Sequence, residues 1–139
     1  MSIIIGLDPG VNTGVAIYEA GALIKLMTIT PWRIPEVLIG QSVSRVIFED
    51  SRLQSHVWIK AKGAAGLKVA RNIGEVDAWC KLIVATCETI GIPAHGISPK
   101  GKGAKLSAAT FTASTGWTGK SNEHQRDAAM VAYPYRGAA

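Results

Sequence analysis

The sequence lacks any long hydrophobic run. Its longest apolar stretches, such as Ile3 to Ile5 and Leu82 to Ala85, are far shorter than the roughly 20 residues that a membrane helix needs. The N-terminus also lacks the basic stretch, apolar segment and small-residue cleavage site of a secretory signal. We therefore expect no membrane span and a cytoplasmic location.

Cysteine is scarce, since only Cys80 and Cys87 are present. Their spacing places them on one face of a helix, where two turns separate the Cα atoms by roughly 10 Å, too far for a disulfide. We interpret both as reduced core residues.

Acidic residues are few: 10 stand against 15 basic ones, for a net charge of +5. This excess permits a polyanionic partner without requiring one, and a solvated basic face is the alternative. Glycines lie among these basic residues. Because glycine has no side chain, its backbone is mobile and can approach a chain of phosphates closely. Ten of the cations form two blocks, which are Arg52, Lys60, Lys62, Lys68 and Arg71, and then Lys100, Lys102, Lys105, Lys120 and Arg126.

The length of 139 residues, with 47% hydrophobic residues, predicts one compact domain over residues 1–139. Apolar steps of four and three from Val69 to Ile90 indicate one long amphipathic helix that Gly91 ends. Further helices are predicted over 36–44, 104–113 and 122–133, and strands over 2–7, 15–18, 23–28, 45–48 and 94–97.

This order of elements predicts an α/β fold with a mixed sheet. The first three strands form an antiparallel meander, and the crossover over 31–44 brings the fourth strand parallel to the first. If these two strands are neighbours, Asp8 and Glu49 emerge at the same edge of the sheet.

Acidic and imidazole groups accordingly gather at predicted element ends. Asp8 and Glu49 follow buried strands, and His124 and Asp127 share one helical face at i and i+3. Taken singly, each is more often structural; Asp8 in an Asp-Pro-Gly turn commonly bonds nearby amides. Together they would repel one another unless a cation lay among them, and oxygen-rich sites of this kind suit Mg²⁺ or Mn²⁺. Two such ions support in-line attack on a phosphodiester. A centre of acidic residues surrounded by basic residues therefore favours a nuclease.

Four segments resemble the motifs of RuvC-type Holliday junction resolvases, within the RNase H-like superfamily. They are 4–10 continuing through 13–16 (IIGLDPG and TGVA), 46–49 (VIFE), 63–74 at the start of the long helix, and 124–129 (HQRDAA). The resemblance spans nearly the whole chain in the family's order. It implies an RNase H-like mixed five-stranded sheet, three antiparallel strands plus two parallel ones, flanked by helices.

The resemblance also implies roles for individual residues. Asp8, Glu49 and Asp127 look like the metal-binding carboxylates, and His124 stands where the family has an aspartate or a histidine, as metal ligand or as the base that orients water. Lys105, expected to open the third helix, resembles a family lysine near the scissile bond. Lys100 or Lys102 would replace another lysine. The expected cofactor is a pair of Mg²⁺ ions, with Mn²⁺ able to substitute, and no small-molecule cofactor is implied.

Two features depart from the family pattern. The segment between the third and fourth strands is short, and the loop after Glu49 carries Trp58, which either stacks on an unpaired base at the crossover or covers the sheet. These differences make the chain resemble a phage or other viral member of the family. Asp50, adjacent to Glu49, is expected to point to the opposite face of its strand.

The family implies a homodimer that nicks a four-way DNA junction symmetrically. Beside Arg52 and Trp58, the DNA-contacting candidates are Lys60, Lys62, Lys68, Arg71, Lys100, Lys102 and Lys120. The alternatives are a nuclease for other branched DNA or structured RNA that uses the same site, and a binding module without catalysis. A fourth interpretation, an ATPase lobe, fails because 139 residues do not supply a second lobe.

Overall fold

The computed structural model describes residues 2–54, 62–99 and 105–137. In this part of the chain, three consecutive strands come first, and helices and two further strands follow in an α/β arrangement. The strands are β1 (Ile3–Asp8), β2 (Thr13–Glu19), β3 (Ala22–Ile29), β4 (Arg45–Glu49) and β5 (Ala94–Ile97). The helices are α1 (Ile34–Ile39), α2 (Gly63–Ile90), α3 (Ala108–Thr115) and α4 (Glu123–Ala132), with short 3₁₀ turns at Pro31–Arg33, Ser51–Leu53 and Tyr133–Tyr135.

The five strands form one mixed sheet in the order β3-β2-β1-β4-β5. β1 pairs antiparallel with β2, which pairs antiparallel with β3, whereas β4 lies parallel to β1 and β5 parallel to β4. The predicted mixed sheet of three antiparallel and two parallel strands is therefore confirmed.

Each face of the sheet is covered by helices, so alternate residues of the central strands enter two different cores. Leu7 and Phe48 belong to the core beneath α1 and α2, together with Cys80, Ile83 and Cys87 of α2. Ile4, Ile47, Ala16 and Tyr18 belong to the opposite core, which Phe111 of α3 and the apolar side of α4 complete. Both cysteines are buried and free, and burial raises the pKa of Cys87 to about 11.

The long helix α2 is buried along only half of its length. Its buried residues, Cys80, Ile83, Thr86 and Cys87, all lie in the second half, whereas Leu67 and Val69 in the first half are exposed. The apolar stripe predicted from Val69 to Ile90 thus covers the core only from Cys80 onward. No described helix is long and apolar enough to cross a membrane.

Several element boundaries differ from those predicted. α1 covers 34–39 instead of 36–44, since Gly40 ends it. α2 begins at Gly63, in the segment 63–74 that the resemblance places at its start and ahead of Val69, where the apolar periodicity begins. α3 begins at Ala108 instead of 104, because the Ser107 side chain caps it by accepting a hydrogen bond from the Thr110 amide. Lys105 therefore precedes α3 and does not open it.

Candidate functional site

Two acidic residues end adjacent parallel strands on the same side of the sheet. In the pairing of β1 with β4, Leu7 lies opposite Phe48, so the next residues along, Asp8 and Glu49, emerge together at one edge. Because side chains alternate along a strand, both carboxylates point to the face that α4 covers. The prediction that Asp8 and Glu49 share a sheet edge is confirmed.

Helix α4 brings His124 and Asp127 to this edge by unusually close packing on the sheet. A Cβ atom added to Gly14 would lie 2.0 Å from the carbonyl oxygen of His124, and one added to Gly6 would lie 2.2 Å from that of Ala128. Such distances are possible only because neither glycine has a side chain. The two glycines thus set the depth of α4 against β1 and β2.

Hydrogen bonds fix the position of α4 along the sheet. Asn122 and Gln125 form a reciprocal capping box at its N-terminus, and both side-chain amides also donate to Thr28 Oγ1 in β3, at 2.9 and 3.1 Å. Farther along, the buried Tyr18 hydroxyl donates to the Ala129 carbonyl at 2.7 Å. Burial raises the pKa of Tyr18 far above its usual value, so this phenol remains a donor.

A histidine and a lysine lie next to the carboxylates at this edge. His124 Nδ1 is 3.6 Å from Asp8 Oδ2, and Lys105 Nζ is 3.9 Å from Asp127 Oδ2. The two carboxylates are recessed, with side-chain exposures of 15% and 11%, whereas His124 and Lys105 are 48% and 59% exposed. Lys105 also donates a hydrogen bond to Glu123, which lowers the pKa of that carboxyl group.

The four predicted metal ligands are not gathered into a ready-made cluster. Within residues 2–54, 62–99 and 105–137, no three His, Cys, Asp or Glu side chains are grouped closely enough to hold a metal ion. The donor chemistry nevertheless fits a hard divalent ion, because Asp8, Glu49 and Asp127 supply carboxylate oxygens on one face of the sheet.

Asp50, the acidic residue directly after β4, does not join the other carboxylates but is paired with Arg52. It is 4% exposed and lies against Gly96 of β5. Its carboxylate accepts hydrogen bonds from the Arg52 amide and from the Arg52 guanidinium, at 2.8 to 3.0 Å. The guanidinium lowers the pKa of Asp50, and burial opposes this effect. Strand alternation places Asp50 on the α2 side, and Arg52, a DNA-contacting candidate, is paired with it.

Contacts between α2 and the end of β4 show how far α2 extends past the site. Ser51 Oγ donates to Asp77 Oδ1 at 2.7 Å, and the Cys80 thiol lies 3.7 Å from the Glu49 carbonyl oxygen. Residues 77–80 are therefore level with the sheet edge. Since α2 runs back toward the start of β4, its residues 63–76 extend beyond that edge by about 20 Å. We call this segment the α2 overhang.

Apart from Arg52, the structure places the described DNA-contacting candidates in two groups. Lys68 and Arg71 are exposed on the α2 overhang, and Lys62 is exposed directly before it. Lys120 is exposed in the loop between α3 and α4. Trp58, Lys60, Lys100 and Lys102 lie outside the described residues.

Three features of the site escaped the sequence analysis: the close approach at Gly6 and Gly14, the bonds of Thr28 to the start of α4, and the pairing of Glu123 with Lys105. For the glycines a signal existed, because Gly6 and Gly14 interrupt apolar strands and glycine within a strand marks close backbone approach. The other two depend on contacts between residues far apart in the chain, for which the sequence offers no local signal.

Comparisons with known proteins support the fold. No family model matches the chain, and a search of curated proteins also finds no match. Among solved structures, RuvC from T. thermophilus in complex with a Holliday junction substrate superposes with a TM-score of 0.66 at 15% identity, over 96% of this chain and 91% of that one. A second Thermus thermophilus RuvC structure gives a TM-score of 0.63 at 15% identity, over 94% and 91%. The chain thus has the RuvC-like, RNase H-like fold, while the suggested viral origin stays a prediction.

Proposed function

We propose that this protein is a metal-dependent, structure-selective endodeoxyribonuclease that resolves four-way DNA junctions by symmetric paired nicks. The observation that carries the proposal is the recessed pair Asp8 and Asp127, brought to one sheet edge by β1 and α4, with Glu49 beside them on the parallel strand. It is supported by the similarity in fold to RuvC in complex with a Holliday junction substrate.

In this proposal Asp8, Glu49, Asp127 and His124 hold two divalent ions, Mg²⁺ in the first place, with Mn²⁺ as a substitute. When bound, such ions lower the pKa of water and stabilise the leaving oxygen of a phosphodiester. Bound ions would also offset the negative charge of these carboxylates, which would otherwise repel the phosphates of the substrate. His124, largely exposed beside Asp8, serves either as a ligand or as the group that accepts a proton from water.

Lys105 has a role in this proposal that is separate from metal binding. Its ammonium group lies between Glu123 and Asp127 on a largely exposed side chain, so it reaches a phosphate group bound at the carboxylate edge. An ammonium group there offsets the charge that develops on the phosphate oxygens during hydrolysis.

The α2 overhang and Lys120 provide the wider DNA surface. Lys62, Lys68 and Arg71 are exposed on the part of the molecule that projects past the carboxylate edge, where a duplex arm of a junction would run. Contacts of this kind bind phosphates regardless of base sequence. Trp58, Lys60, Lys100 and Lys102 stay DNA-contacting candidates from the sequence alone. Arg52 is paired with Asp50 but its side chain is 32% exposed, and we propose that its exposed part contacts DNA.

We further propose that the protein acts as a homodimer through the α2 overhang. Val69 is 38% exposed there, and the half-buried Ile73 follows it on the same face by one helical turn, so the apolar stripe of α2 continues past the core. A two-fold dimer places two identical sites on the two symmetric strands of a junction. Sedimentation analysis tests this: the wild type is expected to be a dimer, Val69→Asp a monomer and Lys68→Asp still a dimer. A monomeric wild type would contradict it.

The substrate class can be tested directly. We would incubate a four-way junction, a replication fork, a linear duplex and an RNA hairpin with the protein in Mg²⁺ or in EDTA. Symmetric nicks in the junction alone, dependent on Mg²⁺, are expected. Cleavage of every branched DNA or of the hairpin would instead indicate the broader nuclease, and binding without cleavage would indicate a binding module.

The carboxylate edge is tested by Asp8→Asn. This variant is expected to bind the junction normally and to cleave it more than about a hundredfold more slowly, because a metal-binding charge is lost. Glu19→Gln is the matched control, since Glu19 lies opposite Ile3 at the far end of the same strands and loses the same charge. Cleavage by Asp8→Asn at a rate near that of Glu19→Gln would refute the assignment.

Lys105→Ala tests the role of the lysine. We expect the cleavage rate at saturating junction to fall about tenfold to a hundredfold with little change in affinity. Lys25→Ala, which removes an exposed lysine from β3, is the control for overall charge. A loss of affinity without a loss of rate would make Lys105 a phosphate contact only.

A further inference from the structure

Arg126, in α4, joins three parts of the chain through one guanidinium group. Its Nε donates to the Leu106 carbonyl at 3.0 Å. Its Nη1 donates to the carbonyl and the hydroxyl of Ser121, at 2.9 and 3.1 Å. Leu106 follows Lys105 directly, and Ser121 follows Lys120, so one half-buried side chain ties both lysine-bearing segments to α4.

The segment that carries Lys105 needs such support. Residues 105–107 have no regular secondary structure and precede the Ser107 cap of α3, so no helix or strand fixes the direction of Lys105. The side chain itself is 59% exposed, and solvated ion pairs such as that with Glu123 hold a lysine only weakly. The bond from Arg126 to Leu106 fixes the backbone immediately beside it.

The loop that carries Lys120 is held by hydrogen bonds within the loop and by further hydrogen bonds from Arg126. The indole of Trp117 donates to the Lys120 carbonyl at 3.1 Å, and the Trp117 amide donates to Thr115 Oγ1 at 3.2 Å. The bonds to Ser121 then fix the end of this loop just before α4 begins.

We propose that Arg126 is a positioning residue, which holds the Lys105 segment so that the ammonium group faces Asp127. This inference rests on the proposed nuclease activity for its catalytic consequence, but not for the structural link itself. Arginine is required because its planar fork reaches two acceptors on opposite sides, whereas the single ammonium group of a lysine binds one or the other. Arg126→Lys therefore keeps the charge and breaks the bridge.

The structural link is tested without any substrate. Acylation of lysine amines by a small reagent, followed by mass spectrometry, reports how firmly Lys105 is held in its ion pairs. In Arg126→Lys the rate at Lys105 is expected to rise severalfold, whereas the exposed Lys25 serves as internal reference and should not change. An unchanged rate at Lys105 would overturn the inference, whatever the nuclease assays show.

The catalytic consequence is tested by a double-mutant cycle with Lys105→Ala. Alone, Arg126→Lys should lower the cleavage rate at saturating junction between about tenfold and a hundredfold, with affinity nearly unchanged. In the Lys105→Ala background it should have almost no further effect, because Arg126 acts through Lys105. Equal losses in both backgrounds would show a general structural role and overturn the inference.

Arg136→Lys is the matched control. Arg136 also donates to a carbonyl, that of Tyr133 at 2.7 Å, and lies over the Tyr133 ring, outside the candidate site. It should leave both the acylation rate at Lys105 and the cleavage rate at wild-type values. If the wild type cleaves no nucleic acid at all, the proposed function fails while the acylation result still decides whether Arg126 holds Lys105.

Discussion

Helix α4 and the α2 overhang border the same edge of the sheet but meet the rest of the molecule in opposite ways. α4 lies so close to β1 and β2 that a Cβ atom on Gly14 would overlap a backbone oxygen. The overhang has a glycine too, Gly74, yet nothing lies within 4 Å of the Cβ that it lacks. The two candidate residues that a helix carries, His124 and Asp127, thus lie on the tightly packed helix, whereas the projecting overhang carries only candidate residues that we propose for DNA and dimer contacts.

The two glycines provide the sharpest test of this comparison. Gly14→Ala should destabilise the protein by about 3 kcal/mol, since α4 must move away from the sheet. Gly74→Ala should stabilise it by about 0.5 to 1 kcal/mol, because alanine favours a helix. Urea denaturation of both variants gives the two free energies of unfolding. Equal effects would show that α4 is not packed as described.

A smaller effect is expected from Tyr18→Phe. This change removes the buried hydrogen bond from Tyr18 to the Ala129 carbonyl and leaves that oxygen without its donor, at a cost of about 1 to 2 kcal/mol. The matched control is Tyr133→Phe, whose hydroxyl donates to the Ser114 carbonyl at an exposed position and should cost less than about 0.5 kcal/mol. A Tyr18→Phe variant as stable as the wild type would weaken the argument that polar bonds fix α4.

The starts of the two helices can be compared in the same way. Asn122 caps α4 with its side chain, whereas Lys62 precedes α2 without a side-chain hydrogen bond. Asn122→Ala should therefore cost about 1 kcal/mol of unfolding free energy, and Lys62→Ala almost nothing. Thermal melts of both variants provide the measurement, and a larger loss for Lys62→Ala would contradict the comparison.

The weakest expected effect lies where the chain leaves β4 toward α2. Because Arg52 holds the pKa of Asp50 below its usual value, the pair stabilises the fold above the unfolded pKa of about 4 and loses this effect as pH falls through the lower folded pKa. Asp50→Asn should cost below about 1 kcal/mol at pH 7, since Arg52 is partly solvated. In unfolding titrations the wild type and Asp50→Asn should converge as pH falls from 5 to 2. A difference that persists at low pH would contradict an ionic origin.

Much of the fold could be predicted from the sequence. The meander over β1 to β3, the parallel return of β4 and the end of α2 at Gly91 follow from apolar alternation, turn residues and a helical period, all of which are local signals. The start of α2 at Gly63 follows only from the resemblance over 63–74, because residues 63–68 have no apolar periodicity and project past the sheet. The start of α3 was missed because the Ser107 cap depends on a single side-chain hydrogen bond.

The candidate site was predictable in part. Asp8, Glu49, His124 and Asp127 were identified because they end strands or share a helical face, and the parallel pairing of β1 with β4 brings the first two to one edge. The close contacts that Lys105 and His124 make with the carboxylates were not foreseen. Those contacts, and the link from Arg126 to Leu106, join residues that only the folded chain brings together.

The central claim is that this sheet edge binds divalent cations through its recessed carboxylates, and manganese is its most direct probe. Crystals of the protein soaked in Mn²⁺ and measured by anomalous diffraction would locate the ions. The account predicts manganese bound by Asp8 and Asp127, with the Lys105 ammonium group displaced from Asp127, and no manganese there in Asp8→Asn. Manganese absent from this edge in the wild type, with the Lys105 pair intact, would contradict the account.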